Sequence, residues 1–219
     1  MNAPIARMGD AALVVTFVGE PLDEANDRAI ALAASLRADA IAGVLDIVPA
    51  MASVAVHFDP DAAGALDIEA VLRDRLALAS QPGKLNREEG AVHEIPVVYG
   101  GDAGPDLADV ASFGGCSEAE VIERHASRVY RVYMLGFLPG FAYLGPVDAS
   151  IAAPRRPSPR QRVPAGSVGI AGAQTGVYPQ ESPGGWQIIG RTDLRMFDAA
   201  TGARLQPGGR VRFVPRSAR

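Results

Sequence analysis

The chain has 219 residues, of which 48% are hydrophobic and 21% charged, a balance that predicts one or two soluble globular domains. A formal charge of −4 and a sequence pI near 5.4 argue against a general nucleic-acid binder, which would carry Lys and Arg on one face. No run of about 18 apolar residues predicts a membrane span, and Met1–Asp10 lacks the pattern of a secretory leader. The single cysteine, Cys116, excludes a disulfide framework, so a cytoplasmic protein is expected.

The apolar run Ala11–Phe17, closed by Gly19 and Pro21, predicts a strand. Leu22–Ala40 predicts a helix capped by Asp23, with Ile30, Ala33, Ala34 and Leu36 on roughly one face. Gly43–Val48 and Ser53–Phe58 predict a hairpin around Pro49-Ala50-Met51, and Asp67–Ala79 a second helix. The order β-α-β-β-α is that of a split α/β sandwich, ferredoxin-like if a further strand completes it.

The polar stretch Ser80–Gly90 is the best linker candidate, giving expected domains at 1–82 and 90–219. Beyond it, Val92–Tyr99 predicts a strand and Leu107–Val110 a short helix. A second helix is expected over Ser117–Ala126, opened by a capping box of Ser117 and Glu120. Tyr130–Phe137 alternates as a strand. Between Gly136 and Gly190 there are ten Gly and eight Pro among 55 residues, interleaved with aromatics. Tight turns over a packed core, in a barrel or sandwich, are expected there rather than disorder. Arg210–Val214 predicts a last strand.

Several familiar chemistries fail on context. Gly185–Thr192 nearly spells a phosphate loop, but its centre, Trp-Gln-Ile-Ile, is a strand pattern with no helix after it. The three histidines and Cys116 are too scattered for a closed zinc site, so no metal is expected. His57 and His93 read as structural or surface residues. Cys116 reads as a small, semi-buried thiol. His125, just ahead of the strand that feeds the Gly/Pro-rich region, is the better catalytic candidate.

Three segments carry the functional reading. Gly136–Gly145 alternates aromatics with Gly and Pro, a rigid loop that presents Phe137 and Tyr143 to a ligand or else closes a buried corner. Pro154–Pro164 sets four arginines among four prolines, and its Arg160 and Arg162 are the expected anion site. Gln174–Trp186 gathers Gln174, Thr175, Tyr178 and Ser182 for a small polar substrate, with Glu181 as the one carboxylate able to act as base or cation partner.

Read in order, the stretches Tyr130–Gly145, Pro159–Gly172 and Gln174–Thr192, with the tail Leu205–Pro215, resemble one family. It is known as the B subunit of 5-oxoprolinase, as allophanate hydrolase subunit 1 and as the KipI-type sensor-kinase inhibitor. The resemblance covers nearly the whole chain and is strongest from Val92 onward. It implies an α+β architecture: an N-terminal ferredoxin-like α/β sandwich followed by a cyclophilin-like β-barrel. It implies a component of an ATP-dependent hydrolase that opens 5-oxo-L-proline to L-glutamate. Its partners would be a related second subunit (the C subunit of 5-oxoprolinase, or allophanate hydrolase subunit 2) and a third subunit, with ATP shared among them. Kinase inhibition, or carboxyl transfer as in urea carboxylase, is the implied alternative. The chain lacks the Gly/Ser-rich Ser/Lys nucleophile region that an allophanate amidase needs. It departs from the family at Ala142, where Pro is common and whose absence should loosen the aromatic loop. It departs again at Ala173, where Asn is common and whose absence removes an amide from the expected pocket.

Overall fold

The computed structural model describes residues 3–78 and 91–217. The chain divides into two compact units, residues 1–89 and 90–219. The linker expected at Ser80–Gly90 lies outside the described residues.

In the first unit, strands β1 (Ile5–Arg7) and β2 (Ala12–Thr16) lead into helix α1 (Leu22–Ala38). Strands β3 (Val44–Pro49) and β4 (Ser53–Phe58) form a hairpin, and helix α2 (Ala65–Leu78) follows. The sheet order is β1-β2-β4-β3, antiparallel throughout. This is the ferredoxin-like sandwich, and the strand that completes it is β1, on the N-terminal side. Alternation along β2 and β4 turns Leu13, Val15, Val54, Val56 and Phe58 toward the helices, where they meet Leu32 and Leu36 of α1 and Ile68 and Leu72 of α2. Asn26 of α1 is fully buried and donates to the carbonyls of Ala50 and Met51, tying the hairpin turn to the helix. Asp23 does not cap α1. Pro21 holds the cap position, and Asp23 lies within the first turn, where its charge favours the helix dipole.

The second unit opens with β5 (Val92–Tyr99), helices α3 (Leu107–Gly114) and α4 (Glu118–Ala126), and strands β6 (Tyr130–Leu135) and β7 (Ala142–Gly145). Then follow β8 (Arg160–Val163), β9 (Ser167–Ala171), β10 (Gln174–Val177), β11 (Ser182–Gly184), β12 (Gln187–Arg191), β13 (Phe197–Asp198), β14 (Gly202–Ala203) and β15 (Arg210–Pro215). Seven strands close into a barrel in the order β10-β7-β6-β15-β5-β12-β9. Strands β8 and β11 pair as a separate ribbon, and β13 and β14 as a small hairpin.

The barrel is filled by residues such as Ile95, Val97, Val132, Leu144, Val168 and Ile170, each fully buried. Helix α4 carries the expected capping box: Ser117 Oγ accepts the Glu120 amide at 3.2 Å, and a Glu120 carboxylate oxygen accepts the Ser117 amide at 2.8 Å. The predicted helix at Leu107–Val110 runs on to Gly114, ended by Gly115 in the left-handed conformation. The strand predicted over Tyr130–Phe137 stops at Leu135, because the chain turns at Gly136 and Phe137. Among the described residues no helix is long and apolar enough to cross a membrane, and no three His, Cys, Asp or Glu side chains group to hold a metal ion.

Candidate functional site

The barrel carries a second apolar layer on its outside. It consists of Phe141, Val163, Ala171, Tyr178, Trp186 and Ile188, with Leu138 and Tyr143 half-buried at its margin. Two glycines make room for it. An ideal Cβ on Gly176 would lie 2.7 Å from the Ala142 carbonyl and 3.3 Å from Phe141 Cζ, and one on Gly169 would lie 3.1 Å from Trp186 Cβ. The rings meet edge to face: Phe141 lies 5.0 Å from Tyr143 and 5.3 Å from both Tyr178 and Trp186, centroid to centroid. Each such pair adds about 0.5–1.5 kcal/mol beyond the area it buries.

Phe137 stands on this layer. It is 58% exposed, and its backbone takes φ 68°, the single non-glycine residue with positive φ among those described. Its ring sits edge to face on Phe141 at 5.5 Å and on Tyr178 at 6.3 Å. A large aromatic held in the left-handed region and turned to solvent costs free energy twice. Gly140, three residues on, closes the turn at φ 82°. Ala142 opens β7, paired with Leu135 and 2% exposed, so the loop is anchored directly behind the aromatic turn.

The ribbon of β8 and β11 is fixed to the barrel by a carboxylate that sequence reasoning does not single out. Asp106, 1% exposed, accepts from Arg160 Nη1 at 2.8 Å and Nη2 at 2.6 Å, from Arg156 Nη1 at 2.8 Å and from the Ile188 amide at 2.6 Å. The anion that Arg160 binds is thus the chain's own, and hydrogen bonding to Asp106 raises the Arg160 pKa above its ordinary value. Arg162 and Glu181 pair across the same ribbon at 3.0 and 3.1 Å, in a two-point bridge open to water. Ser182, also on the ribbon, is buried and donates to the Pro183 carbonyl. Tyr178 borders Arg155 and Arg160. Burial raises its pKa, and the Trp186 backbone N–H and these guanidiniums oppose that shift.

Two expected site residues lie elsewhere. The period of two along β10 sends Thr175 into the barrel and leaves Gln174 and Gly176 on the outer face, so Thr175 shares no surface with Tyr178. Gln174 and Tyr178 share that face but sit about 13 Å apart at the usual strand rise. Ala173 is exposed in the β9–β10 turn, its carbonyl accepting from the Val147 amide. His125 is fully buried and stacked on Phe213 at 4.4 Å. Thr175 Oγ1 donates to the Gly169 carbonyl at 2.9 Å, so it accepts from His125 Nε2–H at 2.9 Å, which leaves Nδ1 to accept from Tyr99 Oη at 2.8 Å. Burial pushes the imidazole pKa down to about 3. With both nitrogens engaged inside the core, His125 is a structural strut and not a catalytic base.

Three features that could attract a phosphate are otherwise engaged. The phosphate-loop look-alike is β12, Arg156 and Arg160 are committed to Asp106, and the N-terminus of α4 is filled by Ser117 and Glu120. What the described residues present is an exposed ring on an aromatic layer, bordered by guanidiniums and one carboxylate.

A ferredoxin-like unit and a closed barrel that carries such a layer define a two-part α+β protein. The chain belongs to the carboxyltransferase domain, subdomain C and D, family, whose model matches residues 3–205. It is 42% identical over 223 residues to the B subunit of 5-oxoprolinase from Bacillus subtilis, covering 96% of this chain and 91% of that protein. A crystal structure of TTHA0988 superposes with a TM-score of 0.82 at 40% identity, covering 95% of this chain but only 41% of that one. The urea amidolyase of K. lactis shares the fold, with a TM-score of 0.72 at 19% identity over 97% of this chain and 15% of the amidolyase. In both structures the match is a fraction of a longer chain.

Proposed function

We propose that this chain is the B subunit of a complex that opens 5-oxo-L-proline to L-glutamate at the expense of ATP, beside a related second subunit and a third. The observation that carries the reading is the likeness, over nearly the full length of both chains, to a protein named as the B subunit of 5-oxoprolinase. The geometry supports a division of labour. A lactam amide is unreactive in water, and the pairing of Arg156 and Arg160 with Asp106 favours a reading in which ATP is held mainly by the partner chains. This chain supplies the surface that receives and orients the ring: Phe137 and Tyr143 as apolar faces, Tyr178 and Arg160 behind them, and the Arg162–Glu181 pair at the ribbon.

The test is ATP hydrolysis dependent on 5-oxoproline, measured with the chain alone, with the two related subunits alone, and with all three. Activity in the full mixture, lost when this chain is omitted, is the expected result. Folded, associated proteins without activity would overturn the reading. Carboxyl transfer is the second reading, favoured by the family's description, and would show instead as biotin-dependent turnover indifferent to 5-oxoproline.

A further inference from the structure

A cleft of about 490 Å³ lies beside the β13–β14 hairpin, lined by His93, Arg195, Phe197, Asp198, Thr201 and Arg204 among others. A volume of this order suits a small molecule. The balance of charge in it is the reverse of the chain's own. Two guanidiniums face one carboxylate, in a protein whose formal net charge is −4.

That carboxylate is already satisfied. Asp198 Oδ1 accepts the Ala200 amide at 2.9 Å and Oδ2 accepts Arg195 Nη1 at 2.9 Å. These bonds also hold its pKa below the ordinary carboxylate range. Arg204 is oriented without being neutralised. Its Nε donates to the Arg195 carbonyl at 2.8 Å, which fixes the guanidinium plane and leaves both terminal nitrogens without a partner among the described residues. His93 lines the same cleft from β5, exposed and unpartnered among the described residues, and Phe197 adds an aromatic surface. A guanidinium fork held by its inner nitrogen, with an imidazole and a ring beside it, is complementary to a planar or tetrahedral oxyanion attached to a small apolar body.

We propose that this cleft is an anion-binding site for a small carboxylate- or phosphate-bearing molecule, with Arg204 as its principal contact. The site shares no side chain with the aromatic layer. It touches that layer through backbone: an ideal Cβ on Gly140 would lie 2.6 Å from Phe197 Cβ and 2.9 Å from the Met196 carbonyl, so the aromatic turn rests directly on the hairpin. Occupancy of the cleft is therefore positioned to bear on the turn that carries Phe137.

The experiment is NMR titration of the full chain, which has three histidines. His93 reports the cleft. His57, in the first unit, and the buried His125 serve as internal references, the latter also verifying that each variant is folded. Inorganic phosphate and 5-oxo-L-proline are titrated separately at constant ionic strength. A saturable shift of the His93 ring signals with either anion, weakened at least fivefold in Arg204→Gln and partly restored in Arg204→Lys, is the expected result. Phosphate alone or the carboxylate alone identifies the source. A shift that never saturates, that sodium chloride reproduces, or that Arg204→Gln leaves unchanged overturns the proposal. The measurement needs neither partner nor turnover, so its failure leaves the reading under Proposed function standing.

Discussion

Replacing Asp106 by Ala removes the one acceptor shared by two arginines and a backbone amide. The Ile188 N–H, bonded at 2.6 Å, would be left buried without a partner, which costs about 1–3 kcal/mol. Breaking a buried ion pair from one side costs about 3–5 kcal/mol. Arg156 and Arg160 keep 31% and 26% of their side chains exposed, so water recovers part of that loss. The two costs overlap, and the net expectation for Asp106→Ala is about 3 kcal/mol. Asp106→Asn keeps an acceptor for Ile188 but loses the charge, and should cost about half as much. Trp186 is the sole tryptophan and packs in the aromatic layer beneath the ribbon, so its fluorescence during urea unfolding follows the relevant unit. The double variant Asp106→Ala/Arg160→Ala should be less destabilised than the sum of its singles, because each single strands the other's charge. A loss below about 1 kcal/mol for Asp106→Ala, or strict additivity in the cycle, would refute the clamp.

Three further outcomes follow from the same geometry. His125 stays neutral in the folded chain down to about pH 3, while an ordinary imidazole of pKa 6.5 protonates in the unfolded chain. Stability is therefore full above pH 6.5 and falls as the pH drops toward 3, by up to about 1.4 kcal/mol per unit. His125→Gln should flatten that limb in denaturant titrations run on either side of the imidazole's ordinary pKa, and an unchanged slope would remove His125 as its cause. Phe137→Gly should relieve about 1 kcal/mol of backbone strain while losing edge-to-face contacts to Phe141 and Tyr178 of comparable worth, so the melting temperature should change little. The same change should cut 5-oxoproline-dependent turnover of the complex at least tenfold; a destabilised but fully active variant would make Phe137 mere packing. Gly176→Val should cost about 1–3 kcal/mol by pushing a branched side chain into Ala142 and Phe141, and should shift Trp186 emission to the red. Unaltered emission would mean that the aromatic layer does not rest on that glycine.

The elements were legible wherever one periodicity ran long enough to repeat. Both helices of the first unit, the β3–β4 hairpin and the capping box of α4 follow from spacing alone. Strand β1 was not legible, because three residues, Ile-Ala-Arg, contain no repeat; its pairing with β2 is decided by the edge it covers. The site was harder, since its logic joins residues far apart in the chain. Asp106 stands directly ahead of α3, where an aspartate reads as a helix cap, yet its carboxylate makes no cap bond and turns to arginines 50 and 54 positions away. The four arginines among prolines were visible, but nothing local says that two of them already own an anion. The alternation inside Gln174–Val177 was visible too, and it carries the more general lesson. A run of polar residues along a strand belongs to two faces, and only every second residue can share a pocket. Applying the period of two to Gln174, Thr175 and Gly176 places the threonine with the barrel core and the glycine under the aromatic rings, and so divides the expected pocket on spacing alone.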